Sequence, residues 1–388
     1  MKNIFTSTNI LVPKTDLDKW SVIACDQFTS NMNYWNELKN YIGSHNSYLS
    51  CIYPEAYLLE NKEVDINALH NNMDNFLNYK KDIFNEYKDS YIYVERFLNG
   101  EVRKGIVGII DLEEYDYLIS KRIRPSEETV VERVPVRAKV RESASLDMSH
   151  IILFVDDEKE EIIEGINKNK LEKIYDFELN MEGGRIEAYA IQGSEKERLD
   201  NLIEIYEKHK GNLCYAVGDG NHSLAAAKLV YERYKETNED YLNSPLRYAL
   251  VEIENIYDPI QKFKPIHRVV NCQDNKDLLA NLSNGEGEEV VGWNLGEEKG
   301  NFKISSIKEF QKNIDEYLDK HGGSIDYVHE IEDIDKAVKE GALGLCLPPI
   351  NNDAFFKTIE KEGSYARKSF SIGSAREKRY YLETRSLK

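Results

Sequence analysis

The chain has 388 residues, of which 69 are acidic and 51 are basic, so its formal net charge is −18. A surface this negative repels phosphate backbones, which argues against general nucleic-acid binding. The length predicts about two or three domains. The 5 cysteines lack CxxC spacing, so the sequence predicts neither a zinc site nor a disulfide framework. Because it shows no apolar leader or membrane-length run, we expect a cytoplasmic protein without a membrane partner.

The first third of the chain alternates between strand and helix patterns. The segment 20–27 predicts a strand that ends in Asp26 and Gln27. Such an end is either a ligand-binding position of an α/β protein or a solvated loop. An apolar stripe predicts a helix over 64–88. Asn99-Gly100 between two strand-like runs predicts a β-hairpin.

Residues 121–145 are unusually basic for this acidic chain, and glutamates interrupt the arginines and lysines. Two interpretations remain open. The segment is either a solvated strand and helix with compensating ion pairs, or an anion-binding surface that holds a carboxylate base. In the second interpretation, Arg137 and Arg141 bind the substrate carboxylate or the distal phosphate of a donor.

A glycine-containing turn at the centre of the chain is the strongest local feature. The apolar run 213–217 predicts a strand, and the amphipathic run 224–234 predicts a helix. The residues between them are Gly218, Asp219, Gly220, Asn221, His222 and Ser223. Open backbone N–H groups at such a helix start favour an anion, yet Asp219, Asn221 or Ser223 could instead simply cap the helix. The absence of a lysine after the second glycine excludes a P-loop.

Several further elements follow from turn and capping signals. Gly183-Gly184 predicts a second hairpin, and Ser194 with Glu197 predicts a capping box that opens a helix ending near Gly211. His267 and Arg268 lie in a strand-like context, where such a pair is either packed or ligand-binding. Residues 271–300 predict a linker or a domain-edge insertion, and alternating helices and strands after them predict a small α/β unit.

These motifs together resemble a known protein family. The segments that carry the resemblance are GDGNHSLAAA, VIACDQFTS, the EET-containing basic stretch, RYALVE, FKPIHRV and KRYYLE. They resemble the domain of unknown function 1015 family over nearly the whole chain. In much of that family the turn is Asp-Gly-His-His-Arg, whereas this chain has Asn221 and Ser223 in place of the first histidine and the arginine.

The family turn also resembles that of ParB/sulfiredoxin-type folds, which include free-serine kinases. This resemblance implies an α/β (α+β) fold with a mixed-sheet, ParB/sulfiredoxin-like catalytic core at 121–270. An N-terminal α/β region at 1–120 and a C-terminal α/β domain at 271–388 would flank it.

The same resemblance implies phosphoryl transfer from ATP, ADP or pyrophosphate to the hydroxyl of free L-serine. It makes Glu127 the catalytic base and leaves the oligomeric state open. The turn would seat the donor phosphates, with His222 as a donor to an oxygen and Asp219 as a ligand of Mg²⁺. His267 and Arg268 would contribute to binding. Two alternatives are a nucleotide- or phosphate-binding regulatory protein without turnover, and a phosphatase that acts on a small phosphoester.

Overall fold

The computed structural model describes residues 2–59, 65–283 and 285–388. The chain divides into two compact units. Unit 1 comprises Met1–Pro125, Thr129–Gln261 and Ser374–Lys388, and unit 2 comprises Ser126–Glu128 and Lys262–Gly373. The division at 120 and 270 that the sequence indicates remains a prediction, and each unit is described below by itself.

Unit 1 contains a large mixed sheet and the helices that cover it. Its described strands are β1 (Phe5–Thr6), β2 (Thr8–Pro13), β3 (Val22–Ile23), β4 (Phe84–Leu98), β5 (Glu101–Asp111), β6 (Ile123–Pro125), β7 (Leu146–Met148), β8 (Ile152–Val155), β9 (Glu172–Glu178), β10 (Arg185–Ile191), β11 (Tyr215–Asp219) and β12 (Tyr248–Asn255). Its described helices are α1 (Leu17–Trp20), α2 (Met32–Ile42), α3 (Glu55–Leu59), α4 (Ile66–Asn78), α5 (Lys80–Ile83), α6 (Val134–Glu142), α7 (Gly193–Lys210) and α8 (Asn221–Thr237).

Unit 2 is a smaller α/β unit, and the last two strands of the chain belong to unit 1. The described elements of unit 2 are β13 (Phe263–Pro265), β14 (His267–Asn271), α9 (Asn275–Leu282), β15 (Glu289–Leu295), β16 (Glu298–Ile304), α10 (Ile307–His321), β17 (Ser324–Val328), α11 (Ile331–Lys339), β18 (Leu343–Cys346), α12 (Asn352–Glu362) and β19 (Phe370–Ile372). The chain ends with β20 (Tyr380–Tyr381) and β21 (Thr384–Ser386).

The large sheet of unit 1 has 12 strands in the described residues, with the main order β6-β11-β8-β12-β5-β4-β2-β21-β7. β11 runs parallel to β6 and antiparallel to β8, whereas β8 and β12 are parallel. Beside it, β20 pairs with β3 in a separate two-stranded ladder. The predicted mixed-sheet α/β class is therefore confirmed.

Both predicted hairpins form. β4 and β5 pair antiparallel through a turn in which Asn99 and Gly100 have φ of 55° and 80°, values that suit a tight hairpin. β9 and β10 pair antiparallel through the turn that contains Gly184, with φ of 78°. Side chains alternate along β4, so that Ile92 joins one core of unit 1 while Tyr93 joins the core on the other face.

Two predicted helices differ from the structure at their boundaries. The helix expected over 64–88 ends at Asn78, and β4 begins at Phe84, because that segment completes the central sheet; residue 64 itself lies outside the described residues. α7 begins at Gly193 with Gln192 as its N-cap, so Ser194 does not open a capping box there. The same helix ends at Lys210 with Gly211 as its C-cap, in agreement with the predicted end near Gly211.

Residues 271–300 were predicted to be a linker or a domain-edge insertion, and the linker alternative was wrong. β15 and β16 form an antiparallel hairpin in this segment, with a turn at Gly296 (φ 63°). The hairpin extends the five-stranded sheet β16-β15-β18-β14-β17 of unit 2, and Val291 is buried in the core of that unit. Its polar residues misled the prediction because the outer face of an antiparallel sheet can be solvated. No helix in the described ranges is long and apolar enough to cross a membrane.

Candidate functional site

The central turn of unit 1 has the strand–turn–helix geometry that the sequence predicts. β11 lies between β6 and β8, and its pairing with β8 shifts register between Val217 and Asp219. Gly220 has a left-handed backbone (φ 79°), which favours glycine. A Cβ atom at Gly218 would lie 2.6 Å from the ring of Phe154, so that position also has no room for a side chain. The turn therefore requires glycine at both positions, at Gly220 because of the backbone conformation and at Gly218 because of the lack of space.

Gly220 is the N-cap residue of α8, so the N-cap position itself has no side chain. Asp219, Asn221 and Ser223 therefore do not occupy the N-cap position. Asp219 instead accepts a hydrogen bond from its neighbour, with 2.8 Å between its Oδ1 and the Gly220 backbone N. The helix start thus keeps the geometry in which backbone N–H groups bind an anion.

Lys378 adds a positive charge beside this turn. Its Nζ lies 3.1 Å from Asp219 Oδ2, and both side chains are mostly buried, with 14% and 16% exposed. Asn221 Oδ1, in the first turn of α8, is buried and has no hydrogen-bond partner among the described residues. The turn therefore combines a helix N-terminus, an ammonium group and a carboxylate in one place.

Asp219 is predicted to bind Mg²⁺, and the described residues around it offer few further protein ligands for a metal ion. Among the described residues, no group of three or more histidine, cysteine, aspartate or glutamate side chains could hold a metal ion. Mg²⁺ is commonly bound by one or two carboxylates, with waters and substrate phosphates as the other ligands. Asp219 fits such a site as its single carboxylate, although it already pairs with Lys378.

A buried histidine lies next to the same turn. His150 lies between β7 and β8 and is only 2% exposed. Its Nε2 is 3.5 Å from Ser223 Oγ and 3.7 Å from Asp26 Oδ2, and its Nδ1 is 2.6 Å from the Tyr381 hydroxyl. Pairing of β20 with β3 places Tyr381 opposite Val22. Of the strand predicted over 20–27, only Val22–Ile23 forms, and Asp26 lies in the turn that follows it. Asp26 is half-buried beside His150 rather than part of a solvated loop, and its ligand-binding role remains a prediction.

Two further charged residues surround Asp26. The backbone N–H of Glu55 donates to the carbonyl of Cys25 at 2.8 Å, and the Glu55 carboxylate pairs with Arg137. Burial raises the pKa of Asp26, but the charge of His150, the hydrogen bond from Gln27 and the charge of Arg137 together outweigh burial, so the pKa is lowered overall. Burial raises the pKa of Glu55 more than Arg137 lowers it. Arg137 therefore has a protein partner, and its ligand role remains a prediction.

Arg141 also has protein partners. It forms two contacts with the carboxylate of Asp147, one of them 3.2 Å from its Nη2, and the same nitrogen donates to the Tyr248 carbonyl at 3.3 Å. Arg385 donates to the same carboxylate, with 3.0 Å between its Nε and Asp147 Oδ2. This buried network gives Arg141 a structural role, and its predicted ligand role remains a prediction.

Glu127 belongs to unit 2, where backbone amides hold its carboxylate. Its Oε1 accepts hydrogen bonds from the backbone N–H groups of Ser369 at 2.9 Å and Phe370 at 3.3 Å. An isolated β-bridge to Tyr365 fixes its backbone. Burial raises the pKa of Glu127 from 4.5 to about 7, because the two amide hydrogen bonds and the charge of Lys368 only partly compensate for desolvation.

Arg268 and His267 are packed within unit 2. Arg268 is fully buried: its Nε donates to Gln311 at 2.7 Å, and its Nη1 donates to the carbonyls of Ile266 at 2.7 Å and Lys368 at 2.9 Å. His267 Nδ1 accepts from the Leu347 N–H at 3.1 Å. Burial and the charge of Arg268 lower the pKa of His267, which favours its neutral form.

The predicted site residues belong to two different units of the chain. Unit 1 brings together the residues of the turn, which are Gly218, Asp219, Gly220, Asn221, His222 and Ser223, and it also contains Arg137 and Arg141. Unit 2 contains Glu127, His267 and Arg268. The sequence analysis missed His150, Tyr381 and Lys378. A single histidine between two apolar runs gives no periodic signal, and Lys378 is far from the turn in sequence.

The fold and this turn define a mixed-sheet α/β protein with a helix whose N-cap residue is a glycine. The DUF1015 family model, described as a protein of unknown function, matches residues 7–384. The chain therefore belongs to the DUF1015 family, as its motifs predict. Among curated proteins, none matches the chain.

Solved structures show distant similarity to the chain. A mutant free serine kinase in complex with AMP has a TM-score of 0.40 and 11% identity, over 71% of this chain and 90% of that one. A conserved hypothetical protein from Pyrococcus furiosus has a TM-score of 0.35 and 12% identity, over 72% and 94%. SbnI with a C-terminal truncation, from Staphylococcus aureus, has a TM-score of 0.37 and 8% identity, over 69% and 83%. Similarities this distant assign no function to the chain.

Proposed function

We propose that the protein is a small-molecule kinase that transfers a phosphoryl group from ATP, ADP or pyrophosphate to the hydroxyl of free L-serine. The observation that carries the proposal is the N-terminus of α8, whose N-cap residue is Gly220, with Lys378 3.1 Å from the carboxylate of Asp219. Phosphoryl transfer requires positioning and charge neutralisation more than covalent help from the protein. A helix start with an adjacent ammonium group can position a phosphate and neutralise its charge.

The residues of the turn seat the donor. Backbone N–H groups at the start of α8 bind phosphate oxygens, and His222 and Ser223 donate to the same group. Lys378 neutralises one of its charges. Asp219 would hold Mg²⁺, which supplies charge neutralisation between the donor phosphates when it is bound.

Glu127 is the general base in this proposal. Its role comes from the sequence resemblance, and its pKa of about 7 supports that role because a base works best when its pKa lies near the operating pH. In the reaction, a bond forms between the serine oxygen and the transferred phosphorus. The bond from that phosphorus to the bridging oxygen of the donor breaks, and the serine proton passes to Glu127. The products are O-phosphoserine and the donor with one phosphate fewer.

A product assay tests this function. The protein is incubated with L-serine, Mg²⁺ and each donor in turn, and O-phosphoserine is measured by mass spectrometry. We expect product with at least one donor and a marked loss of product for Asp219→Asn, because that change removes the carboxylate of the turn. The matched control is Asp82→Asn, which changes an exposed aspartate of α5 in the same unit.

The alternatives give different results in the same assay. Phosphate release from O-phosphoserine, without product from any donor, favours a phosphatase. Nucleotide binding without either reaction favours a regulatory protein. Either result contradicts the kinase proposal, and so does equal product from Asp219→Asn and Asp82→Asn.

A further inference from the structure

One peptide group of unit 2 connects the guanidinium of Arg268 to the carboxylate of Glu127. The carbonyl of Lys368 accepts a hydrogen bond from Arg268 Nη1 at 2.9 Å, and the N–H of Ser369 donates to Glu127 Oε1 at 2.9 Å. This carbonyl and this N–H belong to the same peptide bond. A trans peptide group is planar, and its C=O and N–H point in opposite directions, so rotation of this group would disturb both hydrogen bonds together.

The backbone beside this peptide group has a conformation that needs support from its surroundings. Lys368 has a left-handed φ of 59°, which residues with a Cβ atom rarely adopt. Arg268 lies in β14, and its Nη1 donates both to the Lys368 carbonyl and to the Ile266 carbonyl, the latter at 2.7 Å. The Ile266 N–H in turn donates to the Ser369 carbonyl at 3.3 Å. Arg268 therefore ties the segment around Lys368 to the start of β14.

Arg268 is fully buried, and its hydrogen bonds are made to neutral acceptors. Besides the two carbonyls, it donates through Nε to the side-chain oxygen of Gln311 at 2.7 Å, and its Nη2 has no hydrogen-bond partner among the described residues. In the part of the chain that the structure describes, no carboxylate hydrogen-bonds to this guanidinium, so its charge acts on ionisable groups nearby. A hydrogen bond from a cation also polarises the Lys368 carbonyl, which makes the N–H of Ser369 a stronger donor.

The carboxylate of Glu127 is affected by two hydrogen bonds and two positive charges. The backbone N–H groups of Ser369 and Phe370 donate to its Oε1, and the side chains of Lys368 and Arg268 supply the charges. Burial raises the pKa of Glu127, and these four groups lower it in part. Arg268 supplies one of the charges and holds the peptide group that donates one of the hydrogen bonds. Other ionisable residues next to this segment are Glu128, which pairs with Lys308 at 3.3 Å, and Tyr365, whose backbone pairs with Glu127.

We propose that Arg268 is a positioning residue for the general base: it holds the peptide group between Lys368 and Ser369 that hydrogen-bonds to Glu127, and it thereby favours the ionised form of that carboxylate. The inference rests on the proposed kinase function, in which Glu127 accepts the serine proton. It goes beyond that function because it gives Arg268 a role that requires no contact with a ligand. A base must be ionised to accept a proton, so a change at Arg268 moves the pH range in which Glu127 can act.

Titration of Glu127 in the full chain tests this role without relying on turnover. In protein labelled with ¹³C at the glutamate side-chain carboxyl, the NMR resonance of Glu127 is the one missing from Glu127→Gln. We expect this resonance to titrate at a higher pH in Arg268→Met than in the wild type, because the carboxylate loses a positive charge and a fixed N–H donor. A circular dichroism melt shows whether Arg268→Met is folded. If it is not, Arg268→Gln, which also removes the charge, takes its place.

Val270→Ala is the matched control for the loss of packing. It shortens a buried side chain on the same face of β14, in the apolar core of unit 2, and changes no charge. We expect Glu127 to titrate in this variant as it does in the wild type. The proposal is overturned if Glu127 titrates in the neutral Arg268 variant as in the wild type. It is also overturned if Val270→Ala shifts the titration as far, since the cause would then be a general loosening of unit 2.

Turnover separates this proposal from the kinase proposal. If the wild type forms O-phosphoserine, we expect kcat of Arg268→Met to be about tenfold lower at about pH 6 and to recover at about pH 9, tenfold being the low end of the range for a hydrogen bond to a charged group. In the Glu127→Gln background, the same substitution should have no pH-dependent effect.

The two proposals fail in different ways. If the wild type forms no O-phosphoserine with any donor but the Arg268 variant shifts the titration of Glu127, the kinase proposal fails and Arg268 still controls the protonation of Glu127. If O-phosphoserine forms and neither the titration nor the pH profile of kcat shifts, the kinase proposal stands and the role of Arg268 fails.

Discussion

Two half-buried carboxyl groups, Asp26 in unit 1 and Glu127 in unit 2, have pKa values shifted in opposite directions. Burial raises the pKa of both. In Asp26 the charges of His150 and Arg137 and a hydrogen bond from Gln27 together more than compensate, so the pKa is lowered overall, whereas in Glu127 two backbone N–H groups compensate only in part and the pKa rises to about 7. The comparison teaches that the partner of a buried carboxyl decides its role: an ionised group suits a cation, and a group that titrates near neutrality suits proton transfer.

The largest expected effect is a loss of activity when the carboxylate of Glu127 is removed. We expect Glu127→Gln to lower kcat for O-phosphoserine formation by about 10²–10⁴-fold, the range for loss of a general base. Donor affinity should change little, because the glutamine oxygen can still accept from the backbone N–H groups of Ser369 and Phe370. Steady-state kinetics and donor titrations measure the two quantities.

The neighbouring glutamate is the control for this variant. Glu128 is half-exposed and pairs with Lys308 at 3.3 Å, so Glu128→Gln changes the same residue type one position along the chain. We expect Glu128→Gln to retain nearly full activity. Equal kcat values for the two variants would show that Glu127 is not the general base. Its raised pKa would then be only a consequence of burial.

The raised pKa of Glu127 also predicts a pH dependence of stability. The folded protein binds this proton more tightly than the unfolded chain, whose glutamates have the ordinary value of 4.5. The stabilisation is therefore fully present below pH 4.5 and is lost as the pH rises to about 7. It amounts to about 3 kcal/mol, since each pKa unit corresponds to about 1.4 kcal/mol.

Urea unfolding at pH 5 and pH 8, followed by circular dichroism, measures this loss. Glu127→Gln should be less sensitive to pH than the wild type, because its side chain has no proton to lose. Glu128→Gln should follow the wild type. A pH slope that is identical in all three proteins would show that Glu127 titrates at its ordinary value.

The sequence predicted the elements of unit 1 better than the partners of its charged residues. The hairpin at Asn99-Gly100 and the strand–turn–helix at Gly218–Ser223 formed as expected, because turn chemistry is local. The hairpin at 289–304 was missed because its polar residues lie on a solvated face. Arg141 could not be assigned to Asp147 from the sequence, and His150 could not be placed beside Ser223, because sheet pairing between distant segments creates both contacts.

The smallest expected effect is a loss of stability in two glycine variants. Comparing them separates the cost of a left-handed backbone from the cost of too little space for a Cβ atom. Gly220 and Gly100 have nearly the same φ, 79° and 80°, but a Cβ at Gly220 would lie 3.0 Å from the Ile151 Cα, whereas a Cβ at Gly100 meets no atom within 4 Å. Each alanine substitution should lower the free energy of unfolding by about 1–2 kcal/mol through the left-handed conformation. Gly220→Ala should lower it further, because it displaces Ile151.

Donor binding distinguishes the two glycine variants most clearly. Gly220→Ala crowds Ile151 and disfavours the left-handed backbone at the start of α8, so we expect weaker donor binding by calorimetry. Gly100→Ala lies in a hairpin turn and should bind the donor as the wild type does. If the variants lose the same stability and both retain donor affinity, the helix start tolerates displacement and does not seat the phosphate through its backbone.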